Sequence, residues 1–385
     1  MTRKLGFHVA SILMVVVLAP AGVVLAGAQS ASAGVCGSWV QQASPDVGTG
    51  DNNLNGVAAI STSNAWAVGS YFVGANTVTL IEHWDGASWS VVPSPNAGTG
   101  DILYGVYAVS ATDVWAVGDY FNGTAGRTLI EHWDGASWSV VPSPNVGTGT
   151  NELFAVRGTS SGSIWAVGDT ITSYPTSRTL ILHWDGSRWR VVPSPSVGTG
   201  TNILSAVRPR SLTDAWAVGR YVSGSASRTL ILHWDGSHCL VVPSPNVGTG
   251  NNVLRGVRAD STTDAWAVGD HYNGTVDKTL ILHWGGSHWR VWFSPNVGTG
   301  SNDLNAIGGT SSANVYAVGT AFGGTGSTAL ILHWGGSHWR VVPSLSVGTG
   351  GNDLTTVFAL SPTSIWAAGD YNNGSPDQTL IEYCG

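Results

Sequence analysis

The chain has 385 residues, of which 52 are Gly and 19 are Trp, and only 10% are charged. The 16 Lys and Arg stand against 23 Asp and Glu, a formal net charge of −7 at pH 7. That balance excludes nucleic acid as a partner, because phosphate neutralisation needs many basic side chains. It also leaves no polybasic patch for an anionic membrane surface.

Residues 1–33 stand apart from everything that follows. Arg3 and Lys4 make a basic start, residues 9–18 are apolar, and Ala31-Ser32-Ala33 is a small-residue cleavage site. This is the pattern of a secretory signal peptide, not of a membrane span. Val35 directly precedes Cys36, so the site is not of the lipoprotein type. No later apolar run is long enough to cross a bilayer. Residues 34–385 are therefore expected to be one secreted domain, working as a monomer.

The mature chain opens on a fragment. Gly37-Ser38-Trp39 and then residues 44–50 match only the last quarter of a cassette that is complete in residues 103–151. Within that cassette, residues 103–110, 114–120, 128–133 and 137–143 are short and rich in Val, Ile, Leu, Tyr and Trp. Clusters of turn formers separate them, which predicts four strands. The Trp of the second strand recurs at Trp66, Trp115, Trp165, Trp216, Trp266 and Trp366, with Tyr316 in the remaining place. A period near 50 residues with four strands per unit predicts propeller blades. The chain ends at residues 379–385, which match a third strand and stop.

The expected fold is all-β: a seven-bladed β-propeller with four antiparallel strands per blade. Six blades are complete, and the seventh is closed by the N-terminal strand pairing with the C-terminal blade. Closure removes the two strand edges that an open array would expose. Cys36 falls at the cassette position of Gly86 and Cys384 at that of Trp84, two residues apart across one turn. A disulfide between them is expected, contributing roughly 4–5 kcal/mol by loop closure. Cys239 occupies a Trp slot and reads as a buried free thiol.

The cassette resembles the Kelch-type repeat. Trp115–Gly118 stands where that family has its aromatic-Val-Gly-Gly strand end. Residues 131–138 stand at its turn before a Trp, and Pro142-Ser143-Pro144 follows as its Pro-rich strand does. The second glycine of the family's pair is here Asp119, Asp169, Asp270 or another residue. The resemblance implies a propeller, and propellers of that build include both binding modules and enzymes.

What all copies share reads as scaffold. Equivalent positions of the histidine series, His83, His132, His183, His233, His283 and His333, lie a sheet spacing of about 10 Å apart, too far to share one metal ion. Each His is expected to hydrogen-bond near the Asp-Gly turn that follows it. The Val-Gly-Thr-Gly segments lack the Lys of a phosphate loop and read as connections between blades. No cofactor or metal site is expected.

Specificity is expected where copies differ. With the first strand innermost, the slot after its central Val or Ile faces the channel and reads Ala58, Tyr107, Arg157, Arg208, Arg258, Gly308 and Phe358. Three residues earlier it reads Asn55, Tyr104, Phe154, Ser205, Arg255, Asn305 and Thr355. One arc thus offers Arg157, Arg208, Arg255 and Arg258, flanked by Tyr104, Tyr107, Phe154 and Phe358. Clustered Arg in an acidic protein suggests an anion site. The bland alternative is that Asp260 and other acids neutralise the arginines. The second-to-third strand loops, such as residues 120–127 after Asp119 with Tyr120 at the start, are the most variable segments. They suit glycan or protein recognition.

An enzyme reading casts the Arg arc as a clamp for a substrate carboxylate, as in a sialidase or a lyase. Glycosidase chemistry needs a positioned carboxylate pair or an equivalent nucleophile. Of only four Glu, three share one repeat slot (Glu82, Glu131 and Glu382), which leaves Glu152 alone near the channel. No catalytic residues are assigned. The reading preferred on sequence is a secreted, non-catalytic module for a glycan or protein ligand.

Overall fold

In the computed structural model, residues 36–324, 326–345 and 347–385 are described, and they form 28 strands in seven four-stranded antiparallel sheets. The N-terminal segment read as a signal peptide lies outside the described residues. Blades 1 to 6 take consecutive strands from residues 52–342. Blade 7 combines Gly351–Ser361, Ser364–Asn372 and Asp377–Cys384 with the N-terminal Val40–Gln41. Val40 pairs with Tyr383 and Gln41 with Glu382, so the ring closes as expected. Among the described residues no helix is long and apolar enough to cross a membrane.

Blade 2 shows how the cassette becomes a sheet. Its strands are Thr99–Ser110, Asp113–Phe121, Gly126–Trp133 and Trp138–Val140. The first strand starts earlier than its apolar run suggests, and the fourth stops before Pro142, which has no N–H to donate to a ladder. The second strand sorts its side chains by size. Trp115 and Val117 pack against blade 3, while Val114 and Ala116 pack against blade 1. A large face meeting a small one lets each twisted sheet nest on the next.

The Trp residues form a cage at most joints, the one between blades 6 and 7 being built on Tyr316, Trp39 and Cys384 instead. Trp115 lies 4.3 Å from His132 of its own blade, 4.9 Å from Trp184 and 5.5 Å from Trp189 of the next, ring centre to ring centre. Tilted and edge-on rings at such distances are the favourable aromatic geometries. At the joint between blades 3 and 4 the cage is incomplete. Trp165 meets Trp234 at 5.4 Å, but the third ring is replaced by Cys239, a free and half-buried thiol. Burial pushes that thiol up to about 12.

The histidines do not bond to the Asp-Gly turn. Asp134 of that turn is already occupied, accepting from the N–H groups of Ala136 and Ser137. His132 instead reaches Asp113 at 2.9 Å, at the hairpin joining the first two strands, and Trp115 Nε1 donates to the same oxygen at 2.7 Å. His83, His183, His233, His283 and His333 use Asn64, Ser163, Asp214, Asp264 and Asn314 in the same way. Stacking on the strand-two Trp turns each ring away from the Asp-Gly turn and towards the hairpin.

Every first strand carries a bulge. In blade 2 the register shifts between Leu103 and Gly105, leaving Tyr104 unpaired, and in the other blades the bulged residue is Asn55, Phe154, Ser205, Arg255, Asn305 or Thr355. A bulge bends its strand and re-aims the extra side chain. It also presses the first strand onto the second: a Cβ on Gly118 would meet the Ile102 carbonyl at 1.8 Å. The Gly that ends each second-strand motif is fixed by that contact.

Cys36 and Cys384 are disulfide-bonded, with Cα atoms 5.8 Å apart. Blade 7 is further tied by its side chains. Thr379 donates its N–H to Asp46 at 2.9 Å, Asp377 donates its N–H to Asp51 at 3.0 Å, and Gln378 reaches Asp46 at 3.2 Å.

Candidate binding site in the axial channel

The first strands line a cavity of about 240 Å³ on the ring axis. Both variable slots reach it, Ala58 and Tyr107 excepted, but at different depths. Asn55 lies near the second-to-third loop face, whereas Ala58 pairs with Trp66 towards the hairpin face. Three residues of strand separate the two rings by about 10 Å. The Arg arc is therefore two groups, with Arg255 on the loop side and Arg157, Arg208 and Arg258 on the hairpin side.

On the loop side, three of seven bulge residues hold the ring together. Asn55 donates to the Leu103 carbonyl at 2.9 Å, Asn305 to Leu354 at 3.0 Å and Thr355 to Leu54 at 2.6 Å, each in the next blade. Blades 2 to 5 replace these linkers with Tyr104, Phe154, Ser205 and Arg255. Tyr104 and Phe154 pack edge-on at 5.4 Å, and Arg255 forms an ion pair with Asp270.

An acidic group stands beside these rings. Glu152 and Asp169 are directly paired across the first two strands of blade 3, and the Asp169 Oδ1 is buried without a hydrogen-bond partner. Burial raises Glu152 above the usual carboxylate range. It carries Asp169 and Asp119 to about 7, with Glu152 as the largest charge acting on Asp119. Burial also raises Tyr104, helped by Asp119 and Glu152. Among the described residues none of these three carboxyls forms an ion pair. The sequence flagged Asp119 and Glu152 separately. Their grouping with Asp169 was visible only as the Asp that replaces the second glycine of the repeat motif.

On the hairpin side the three arginines divide. Arg258 is neutralised: it is 7% exposed, lies against Asp260 with Nε at 3.0 Å, and donates to the Gly309 carbonyl. Arg157 donates to the carbonyls of Val106 at 2.6 Å and Val156 at 3.1 Å. Arg208 keeps a buried Nε with no partner. Among the described residues neither Arg157 nor Arg208 has a carboxylate within ion-pair distance. Burial pushes Arg157 down to about 10, with Arg208 adding repulsion. Arg208 is lowered by burial and then by Arg258, with Asp260 offsetting part of the effect. Two half-buried, adjacent, like charges with no carboxylate in ion-pair contact are stabilised by an anion.

The remaining expected site residues do not all reach the channel. Phe358 lines the cavity. Tyr107 turns away from it, into the joint with blade 3, where its ring fills the space beside Gly158. Asp119 and Tyr120 lie within a strand and not on a loop, and the Tyr120 ring is half-buried against Gly98. Among the described residues no group of three or more His, Cys, Asp or Glu could hold a metal ion.

No family model and no curated protein matches the chain. Solved structures do. YCF48 bound to a D1 peptide is 16% identical, with 90% of this chain and 96% of that one covered at a TM-score of 0.53. YCF48 from Cyanidioschyzon merolae is 14% identical, with 90% and 99% covered at 0.58. An ulvan lyase of polysaccharide lyase family PL25, bound to a glucuronate–sulfated rhamnose unit, is 10% identical, with 86% and 94% covered at 0.53. At such identities the likeness shows the fold alone: this chain is a seven-bladed β-propeller, similar in build to a peptide-binding protein and to a polysaccharide lyase.

Proposed function

We propose that the protein is a secreted, non-catalytic binding module of Kelch-like repeat ancestry, and that it holds an anionic group of a glycan or protein ligand in its axial channel. One observation carries the reading: Arg157 and Arg208 line the channel, half-buried and adjacent, and among the described residues neither has a carboxylate within ion-pair distance. The coincidence of the two rings supports it. The blades that lack inter-blade linkers on the loop side include the two that supply the unpaired arginines on the hairpin side. Secretion is supported by the signal-type N-terminus and by the Cys36–Cys384 bond, since disulfides persist in oxidising compartments.

The test is thermal unfolding of the mature chain with acetate, glucuronate and sulfate, at low and high salt. A ligand that binds only the folded state raises the midpoint with concentration. The expected result is a salt-sensitive rise that disappears in an Arg157→Ala/Arg208→Ala double variant. Equal rises in the variant would sink the reading.

A second reading has one observation in its favour, the Glu152–Asp169 carboxyl pair beside Tyr104. Such a pair, with both carboxyls raised by burial, suits acid–base work on a glycan. Release of unsaturated or hydrolysed products from a uronate-containing polysaccharide, abolished by Glu152→Gln, would establish that reading over the first.

A further inference from the structure

The three hairpin-side arginines are not held alike. Arg157 of blade 3 reaches back to the Val106 carbonyl of blade 2, and Arg258 of blade 5 reaches forward to the Gly309 carbonyl of blade 6. Arg208 of blade 4 stands between them, and its Nε is buried with no partner. Its two neighbours lean away from it on either side, and all three line the cavity.

Charge at this level does not cancel. Asp260 offsets Arg258, and Asp214 offsets Arg210, the next basic side chain along the same strand as Arg208. Asp113, at the hairpin of blade 2, is turned to His132 and Trp115 instead. Arg157 and Arg208 remain, so the site carries two positive charges in excess. A monoanion such as a single carboxylate would neutralise half of that excess. We infer that the site selects a dianion, the phosphate of a phosphomonoester. This rests on the anion reading above and narrows it to one charge and one chemistry.

A phosphate ester has three outer oxygens to place, and a guanidinium fork pairs with two of them. The unpartnered Nε edge of Arg208 suits that fork. Arg157 spends one nitrogen on the Val106 and Val156 carbonyls, and its other donors are left for the third oxygen. The cavity of about 240 Å³ has room for more than one oxyanion, which favours an ester over the free ion. Its lining is mostly polar, with Asn55, Ser205, Asn305 and Thr355 on the loop side. The group that carries the phosphate is therefore expected to be hydroxylated, since enclosed polar groups need hydrogen-bond partners.

Isothermal titration of the mature chain with glycerol 3-phosphate, inorganic phosphate, inorganic sulfate and acetate, each at pH 5 and pH 7.5, tests this. At pH 7.5 glycerol 3-phosphate should bind about tenfold more tightly than acetate, the worth of one further charge-assisted hydrogen bond. A phosphomonoester loses its second proton near about pH 6, so its affinity relative to sulfate should fall about tenfold at pH 5. Glu152, Asp119 and Asp169 titrate over the same range, but under both ligands alike, so the ratio reads the ligand alone. Arg157→Ala should erase the preference for the ester over acetate. Acetate binding as tightly as the ester, or an ester-to-sulfate ratio indifferent to pH, would overturn the dianion assignment and leave the anion reading standing. Inorganic phosphate binding more tightly than the ester would overturn the ester assignment. Absence of binding by all four would overturn both readings. The ranking of ligands on the unaltered protein decides the matter even where Arg157→Ala does not fold.

Discussion

The backbone N–H of Cys36 donates to the phenol oxygen of Tyr316 at 3.3 Å, across 280 residues of sequence. Tyr316 occupies the slot that is Trp in every other blade. An indole N–H can only donate, whereas a phenol can also accept, and the joint between blades 6 and 7 is where the N-terminal segment enters. Tyr316→Phe is expected to lower stability by about 1 kcal/mol in urea unfolding, the net worth of one hydrogen bond. Tyr316→Trp should cost more, since it adds volume to a fully buried site as well as removing the acceptor. Cys36→Ser with Cys384→Ser should lower stability by about 2–5 kcal/mol.

Three buried glutamates are expected to make stability fall as pH rises. Glu82, Glu131 and Glu382 are fully buried, and none of their carboxyl oxygens has a side-chain partner. The same slot is Leu182, Leu232, Leu282 and Leu332 in the other blades. Burial pushes Glu82 and Glu131 up to about 8 and Glu382 to about 7, with Asp46 adding at Glu82 and Asp101 at Glu131. A carboxyl raised on folding favours the folded state fully below its unfolded value near 4.5, and the advantage is lost as pH rises through 7 to 8. Asp119, Asp169 and Asp370, each raised to about 7, act in the same direction. The melting temperature should therefore drop between pH 5 and pH 8. Changing Glu82 and Glu131 to Leu should flatten the slope and add about 2 kcal/mol each at pH 8.

Arg258 and Asp260 are a structural pair. Breaking one partner of a buried pair costs about 3–5 kcal/mol, because the other charge is left uncompensated. Asp260→Asn should therefore destabilise the fold in denaturant titration. Arg157→Ala should be neutral or stabilising, because it removes a charge that has no counter-ion. The opposite ranking would mean that the two arginines had exchanged roles.

Cys239→Trp should complete the cage around Trp165. The gain expected is about 1 kcal/mol, from an edge-on aromatic contact like that of Trp115 with Trp189 at 5.5 Å. The same change should leave anion binding unaltered, which separates scaffold from site.

Closure, blade count and the disulfide were legible in the sequence because they depend on spacing, and spacing survives in the order of residues. Cys36 and Cys384 could be set side by side by counting cassette positions. The division among Arg157, Arg208 and Arg258 was not legible, because it turns on which guanidinium reaches Asp260. The bulge at Tyr104 was equally hidden: it separates the two channel rings, yet nothing in the alternation of residues 103–107 marks it. For Glu82 the signal was present as a departure from Leu at one slot. Only the packing of blade 1 on blade 7 revealed that the carboxyl is buried.

The three inter-blade linkers made by Asn55, Asn305 and Thr355 have a consequence for how such a ring diversifies. They sit in blades 1, 6 and 7, around the seam where the two chain ends meet. These contacts tie blade 7 and its two neighbours into the ring. The sector farthest from the seam, at blades 3 and 4, is held by continuous chain and can exchange linkers for other side chains. Copying one cassette seven times thus does not give seven equivalent places to evolve a binding site. The joint that closes the circle leaves most freedom at its antipode, which is where Arg157 and Arg208 stand.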